Sequence, residues 1–198
     1  MCFEFVFWLS TSIVLVVERN WDLHVMQLKQ ENVFRSVKNH LIIIIGACFV
    51  DSMYTIEPAV DNNIVRFVFS FAFSDFIFYF THLLLHSAFF YKRIHAIHHT
   101  WSDPISCLSA LDCSWIEHIY CNLAGFVVPV IVLQPTRLEC HVMASLTAAN
   151  VALSHSTTIS DILRPINHHT LHHKFISCNY GASPMFDVIF GTYYKPFV

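Results

Sequence analysis

Five long apolar stretches organise this chain, at residues 3–17, 41–50, 64–80, 119–133 and 138–153. Runs of this kind predict helices, and a helix that crosses a bilayer needs about 20 apolar residues. The first run has no basic residue ahead of it and no clean small-x-small site behind it, so it reads as a membrane anchor rather than a cleaved leader. The second is short and stops at Asp51. It predicts either a strained span that continues over 51–59 or a re-entrant piece. The third is rich in aromatic residues yet carries Arg66 and Asp75. The fourth and fifth are separated by Gln134-Pro135-Thr136-Arg137, a turn, and predict a hairpin that enters the membrane and returns. The expected fold is all-α, a multi-pass transmembrane helical domain with a histidine-rich cap. Residues 1–63 are expected to form N-terminal membrane segments and a loop, and 64–198 the membrane domain proper.

If both arms of the hairpin cross, 82–118 and 154–198 lie on the same side of the membrane. Together with 18–40 they hold nine of the eleven Lys and Arg residues, and only Arg66 and Arg137 fall on the other side. Positive charge collects on cytoplasmic loops, so this side is expected to face the cytosol.

Composition supports a membrane setting. The chain is 55% hydrophobic and 13% charged, against about 25% charged in a soluble domain. A net charge of −3 with no Lys/Arg-rich run excludes nucleic acid as a partner. The seven cysteines include no C-x-x-C pair and mostly fall in apolar stretches, as buried thiols do.

The unusual count is 14 histidines. His82-Leu-Leu-Leu-His86 follows the third apolar run. Residues four apart on an α-helix differ by about 40° around the axis, so both imidazoles face one way and can share a metal ion. Asp75 and Tyr79 fall on the same face. A carboxylate in a membrane segment is costly and marks a functional candidate. Its expected task is to accept a hydrogen bond from a ligand imidazole or its neighbour. His95-Ala-Ile-His98-His99 predicts three imidazoles on one helical face. His168-His169-Thr-Leu-His172-His173 repeats that spacing from His169, with His168 about 100° away from its neighbour. His155 stands alone after the fifth run.

Neutral imidazole is a good ligand for iron, zinc and copper. One ion takes three or four protein ligands and keeps a position open, so eight or nine clustered imidazoles suit two ions. No cysteine lies within these boxes, and no H-E-x-x-H occurs, which disfavours thiolate zinc sites and the commonest zinc protease. Isolated histidines (His24, His40, His141) read as polar surface residues, and His118 beside Glu117 as a supporting one. A histidine-rich metal transporter or sensor is the competing class, but its ligands belong along a path through the spanning helices, not at one membrane face.

At these boxes the sequence resembles the fatty acid hydroxylase and sterol desaturase superfamily, which carries H-x3-H, H-x2-H-H and a second H-x2-H-H in this order. The likeness covers roughly 64–195. Asp75-x-x-x-Tyr79-Phe80-x-His82 is similar to the family's lead into the first box, and Tyr91-Lys-Arg-Ile-His95 to the lead into the second. Glu117 matches the glutamate of a Pro-x-Glu, here Trp115-Ile116-Glu117. His155-Ser156 and the tail Asn179-Tyr-Gly, Asp187 and Gly191-Thr192 also fit. Within the family the likeness is closest to the cholesterol 25-hydroxylase group, on Leu83-Leu84 and on the His-His-x-Leu-His-His form of the third box. After His155 the family's Gly-Tyr-Asn-Phe-Pro is replaced by Ser-Thr-Thr-Ile-Ser.

The resemblance implies an endoplasmic reticulum oxygenase with two iron ions (Fe2+/Fe3+) held by His82, His86, His95, His98, His99, His155, His168, His169, His172 and His173. Asp75, Tyr79 and Glu117 would support those ligands. Electrons would come from NAD(P)H through cytochrome b5 and its reductase or a similar donor. The substrate would be a lipid or sterol, hydroxylated at a C–H bond. Sterol desaturation, C-4 methyl oxidation and fatty acid hydroxylation are the alternatives within the family.

Overall fold

The computed structural model describes residues 2–18, 30–53, 63–101, 104–162 and 168–194, and every regular element among them is helical. The five apolar runs become five main helices: α1 (Cys2–Glu18), α2 (Gln30–Met53), α3 (Ile64–Leu85), α5 (Trp115–Leu133) and α6 (Arg137–Ser154). Shorter pieces carry the cap. They are α4 (Ala88–Arg93), a 3-10 turn at His95–Thr100, α7 (Thr157–Ile162), α8 (His168–Phe175) and α9 (Pro184–Phe190).

Among the described residues, three stretches are long and apolar enough to cross a membrane: Glu31–Ser52, Ile64–Leu85 and Trp115–Leu133. The second apolar run is therefore part of one continuous helix long and apolar enough to cross. It gains its length at its N-terminal end, through residues that hydropathy assigns to a loop. Asn32, Arg35 and Asn39 dilute the apolar pattern there, but their spacing puts them on one face. Residues 54–62, where the span was expected to continue, lie outside the described residues. Helices α1 and α6 are shorter, and α6 carries Glu139, His141 and Asn150.

Local chemistry sets the ends of these helices. Asn63 caps α3, its Oδ1 accepting from the amides of Val65 (2.9 Å) and Arg66 (3.2 Å). Thr136 and Glu139 form a reciprocal capping box at the start of α6. Glu139 also accepts from the Asn63 amide (2.8 Å) and Arg66 Nη2 (3.1 Å), tying the starts of α3 and α6 together. Gln134, in the left-handed region at φ 48°, turns the chain between α5 and α6.

Helix α1 packs along α6, where Phe7 meets the small Ala148 and Ala152 together with Ala110 and Leu111 of the connecting loop. Small residues let helices approach closely. Val50 of α2, Val130 of α5 and Cys140 of α6 form a second contact, so the two arms of the hairpin meet around α2. Large apolar side chains such as Phe34, Ile45, Ile64 and Phe69 face outward, as lipid-facing residues do. Cys107, Cys113, Cys121, Cys140 and Cys178 are buried thiols.

Candidate metal centre

Helix α3 buries one face through Asp75, Tyr79 and His82. One turn on, His86 ends the helix. The chain then bends through α4 into the tight turn His95–Thr100. Helix α6 delivers His155 at its C-terminal end, and α8 carries the last box.

Nine imidazoles converge in two adjoining groups. His82, His86, His95, His99 and His172 form the first, and His98, His155, His169 and His173 the second, with ligand atoms in each group within 4.8 Å of one another. The first-box pair shares a group, as its spacing predicts. The other two boxes split. In each, the histidines four apart stay together (His95 with His99, His169 with His173), and the one three along (His98, His172) turns to the other group. The expectation of three second-box imidazoles on one helical face is thus corrected. The segment is a 3-10 turn, and its histidines serve both groups. His168 joins neither group: its Nε2 lies 3.0 Å from Asp187 Oδ2.

Within the groups the Nε2 atoms face one another. Separations are 3.0 Å for His82–His95 and His95–His99, 3.1 Å for His86–His172 and 3.2 Å for His99–His172. In the second group they are 3.3 Å for His98–His155, 3.1 Å for His155–His169 and 3.2 Å for His169–His173. Donors bonded at about 2.1 Å to a common ion stand about 3.0–3.4 Å apart, so these spacings fit shared metal ions.

The opposite ring nitrogens show which tautomer is present. Nδ1 of His82 lies 2.6 Å from the Tyr180 carbonyl, that of His172 2.7 Å from Cys178, that of His155 2.8 Å from Val151 and that of His98 3.3 Å from Asp112. A carbonyl only accepts, so Nδ1–H donates and Nε2 carries a lone pair. His98 and His155 then aim two lone pairs at each other, an arrangement that calls for a cation between them.

Burial and, after it, the neighbouring imidazoles push these groups toward neutrality, the form that binds metal. His86 is held at about 4 and His155 at about 3. Burial likewise lowers His95, His98, His99, His169, His172 and His173.

Of the three residues expected to support the histidines, only Glu117 touches one of them; Asp75 and Tyr79 meet the segment 182–192 instead. Glu117 Oε1 stands 2.9 Å from Nδ1 of His95. Asp75 accepts from the amides of Ala182 (2.9 Å) and Ser183 (3.1 Å) and from the Ser183 hydroxyl, steadying the loop whose Tyr180 carbonyl holds His82. Tyr79 reaches Thr192 Oγ1 at 3.0 Å, which donates to Asp187 at 2.6 Å. Asp187 also accepts from the amides of Tyr180 (2.8 Å) and Gly181 (2.7 Å). Burial raises its carboxyl, but the hydrogen bonds from His168, Thr192 and the loop amides outweigh that and hold it below the usual carboxylate value.

Sequence reasoning missed the four carbonyls, because a backbone acceptor has no residue signature. It also missed Asp112, whose signal was present: a lone carboxylate between the apolar Leu111 and Cys113.

The fatty acid hydroxylase family model matches residues 67–192. The chain is 34% identical over 119 residues to fatty acid hydroxylase domain-containing protein 2 of Homo sapiens, covering 60% of this chain and 35% of that protein. It is 31% identical over 143 residues to lathosterol oxidase of Mus musculus, covering 68% and 46%. It is 29% identical over 145 residues to a Delta(7)-sterol 5(6)-desaturase of Aspergillus fumigatus, covering 71% and 40%. The match thus spans less than half the length of these relatives. No solved structure matches.

Proposed function

The chain belongs to the fatty acid hydroxylase family, and from that premise we propose that it is a membrane-bound oxygenase with two iron ions that hydroxylates a C–H bond of a lipid, with a sterol as the substrate class. The observation that carries this reading is the convergence of nine imidazoles into groups of five and four. In our reading His82, His86, His95, His99 and His172 hold one ion, and His98, His155, His169 and His173 the other. Imidazole-only donor sets suit iron. Such ions supply the activation of O2 by donated electrons.

The remaining work is the protein's. The carbonyls behind His82, His98, His155 and His172 fix ring orientation and leave each Nε2 unprotonated. Glu117 sets His95. Asp75 and Asp187 hold the 180–183 loop from two sides. His86 and His99 are half-buried while the other seven ligands are buried, so the five-histidine group lies nearer the surface. In the reaction one oxygen atom of O2 enters the alcohol and the other leaves as water. The two electrons come from NAD(P)H through cytochrome b5 or a similar donor. The charge pattern of the loops supports a cytosolic cap, and the family resemblance supports residence in the endoplasmic reticulum.

A second reading, desaturation, is favoured by the relatives named as a sterol desaturase and a sterol oxidase. The cholesterol 25-hydroxylase likeness rests on the first and third boxes alone. One experiment separates the readings. The protein, in membranes supplied with NADPH and a reductase–cytochrome b5 pair, is given sterols and fatty acids, and products are read by mass spectrometry. A gain of one oxygen is expected. Loss of two hydrogens selects desaturation, and no turnover in a protein that binds iron overturns both.

A further inference from the structure

Helix α2 lies outside the stretch matched by the family model, yet it grips the loop that follows the second histidine box. Asn32, Arg35 and Asn39 share one face of α2, at offsets of three and seven. Arg35 donates through Nε to Asp112 Oδ1 at 2.6 Å and through Nη2 to Oδ2 at 3.2 Å. Asn32 Nδ2 also donates to Oδ2. One turn along, Asn39 Nδ2 donates to the carbonyls of Leu111 (2.9 Å) and Cys113 (3.0 Å). Three side chains of one helix thus hold three consecutive residues.

The Asp112 side chain is fully buried, and Arg35 is 26% exposed. A two-pronged Arg–carboxylate pair fixes direction as well as distance. The same carboxylate accepts from Trp101 Nε1 at 2.7 Å, just past the second box. Its main-chain carbonyl faces Nδ1 of His98 at 3.3 Å, long for such a bond and so sensitive to small shifts of the loop. Asp112 therefore pins both the start of the loop, through Trp101, and the acceptor that orients His98. The main-chain carbonyl acceptors of the five-histidine group, Tyr180 and Cys178, lie outside the loop that α2 holds.

We infer that Asp112, clamped by Arg35 and Asn32 of α2, is a positioning residue for the four-histidine group, so that a helix outside the family core tunes one of the two ion sites selectively. The inference rests on the dinuclear reading above. Replacing a buried pair one partner at a time strands a charge, so the main variant is Arg35→Gln/Asp112→Asn, which removes both charges and keeps polar groups.

The full chain in detergent is stripped with chelator and titrated anaerobically with ferrous iron, and bound iron is counted. The variant is built in a His82→Ala/His86→Ala background, which isolates the four-histidine group, and in a His155→Ala/His173→Ala background, which isolates the other. Affinity is expected to fall about 10–100-fold in the first background and to stay unchanged in the second, with the melting temperature of the iron-free protein reporting the fold. Equal weakening in both backgrounds, or none in the first, overturns the inference. If the double variant does not fold, Arg35→Lys and Trp101→Phe decide it. Each loses one hydrogen-bonding feature, and each should show the same selective loss in smaller degree; unchanged four-histidine affinity in both overturns it. A parent chain that binds no iron overturns the dinuclear reading itself, before any variant is compared.

Discussion

His98 and His155 are 57 residues apart in sequence, and their Nε2 atoms stand 3.3 Å apart. Each directs its Nδ1 toward a main-chain carbonyl, so two lone pairs meet where one proton would have made a hydrogen bond. Burial disfavours supplying that proton. His98→Ala or His155→Ala should therefore lower bound iron from about two ions per chain to about one and abolish oxidation, with membrane insertion retained. His172→Ala should do the same through the other group. Elemental mass spectrometry of the purified variants checks this. Full activity in any of them removes that residue from the ligand set.

Asp75 holds Ala182 and Ser183, in the loop whose Tyr180 carbonyl faces His82. Asp75→Asn keeps an acceptor for the Ala182 and Ser183 amides but turns a donor toward the Ser183 hydroxyl. Iron affinity of the five-histidine group should fall about 10–100-fold, as for other residues behind metal ligands. Chelator competition measures it, and unchanged affinity would remove Asp75 from the site.

Gly181 sits where that loop passes between two carboxylates. A Cβ there would run into the Ser183 carbonyl oxygen and lie 3.0 Å from Asp187 Oδ2. Both contacts involve atoms that are already held, so the loop has to move. Gly181→Ala should cost about 1–3 kcal/mol of stability and weaken iron binding through the displaced Tyr180 carbonyl. Thermal melts of the iron-free protein test the first effect, and iron titration the second.

Acid should destabilise the iron-free protein. In the unfolded chain a histidine takes up its proton near pH 6.5, whereas the folded state holds His86 at about 4 and His155 at about 3. Because the folded values are depressed, stability is complete above about pH 6.5 and falls as the pH drops from there toward 4 and then 3. The slope is about 1.4 kcal/mol per pH unit for each histidine in its window. Denaturant melts between neutral and acid pH read it. A flat profile contradicts the burial of these rings.

The 3-10 turn at His95–Thr100 and helix α2 show where sequence reading succeeded and where it stopped. Apolar run length identified all five main helices, because membrane burial is written as local composition. Histidine spacing offered ten candidate ligands and suggested two ions; nine of the ten, though not His168, converge in two groups, because residues four apart stay on one side of a turn. Of Asp75, Tyr79 and Glu117, only Glu117 stands beside a cluster histidine, while Asp75 accepts from Ala182 and Ser183 rather than from an imidazole. Hydropathy misplaced the start of α2, since it counts Asn32, Arg35 and Asn39 as polar without knowing that Asp112 and its neighbours receive them.

Which histidine serves which group was likewise beyond local pattern. His98 and His172 each leave their own box for the group across the cap, and His168 turns away to Asp187. Those choices depend on the distance between elements far apart in sequence and on main-chain carbonyls that every residue possesses. The sequence by itself determined the main helices and the candidate histidines, whose number suits two ions. Only the tertiary structure decided the partition into five and four, because that is set by packing among α3, α6 and α8 and by hydrogen bonds to an anonymous backbone.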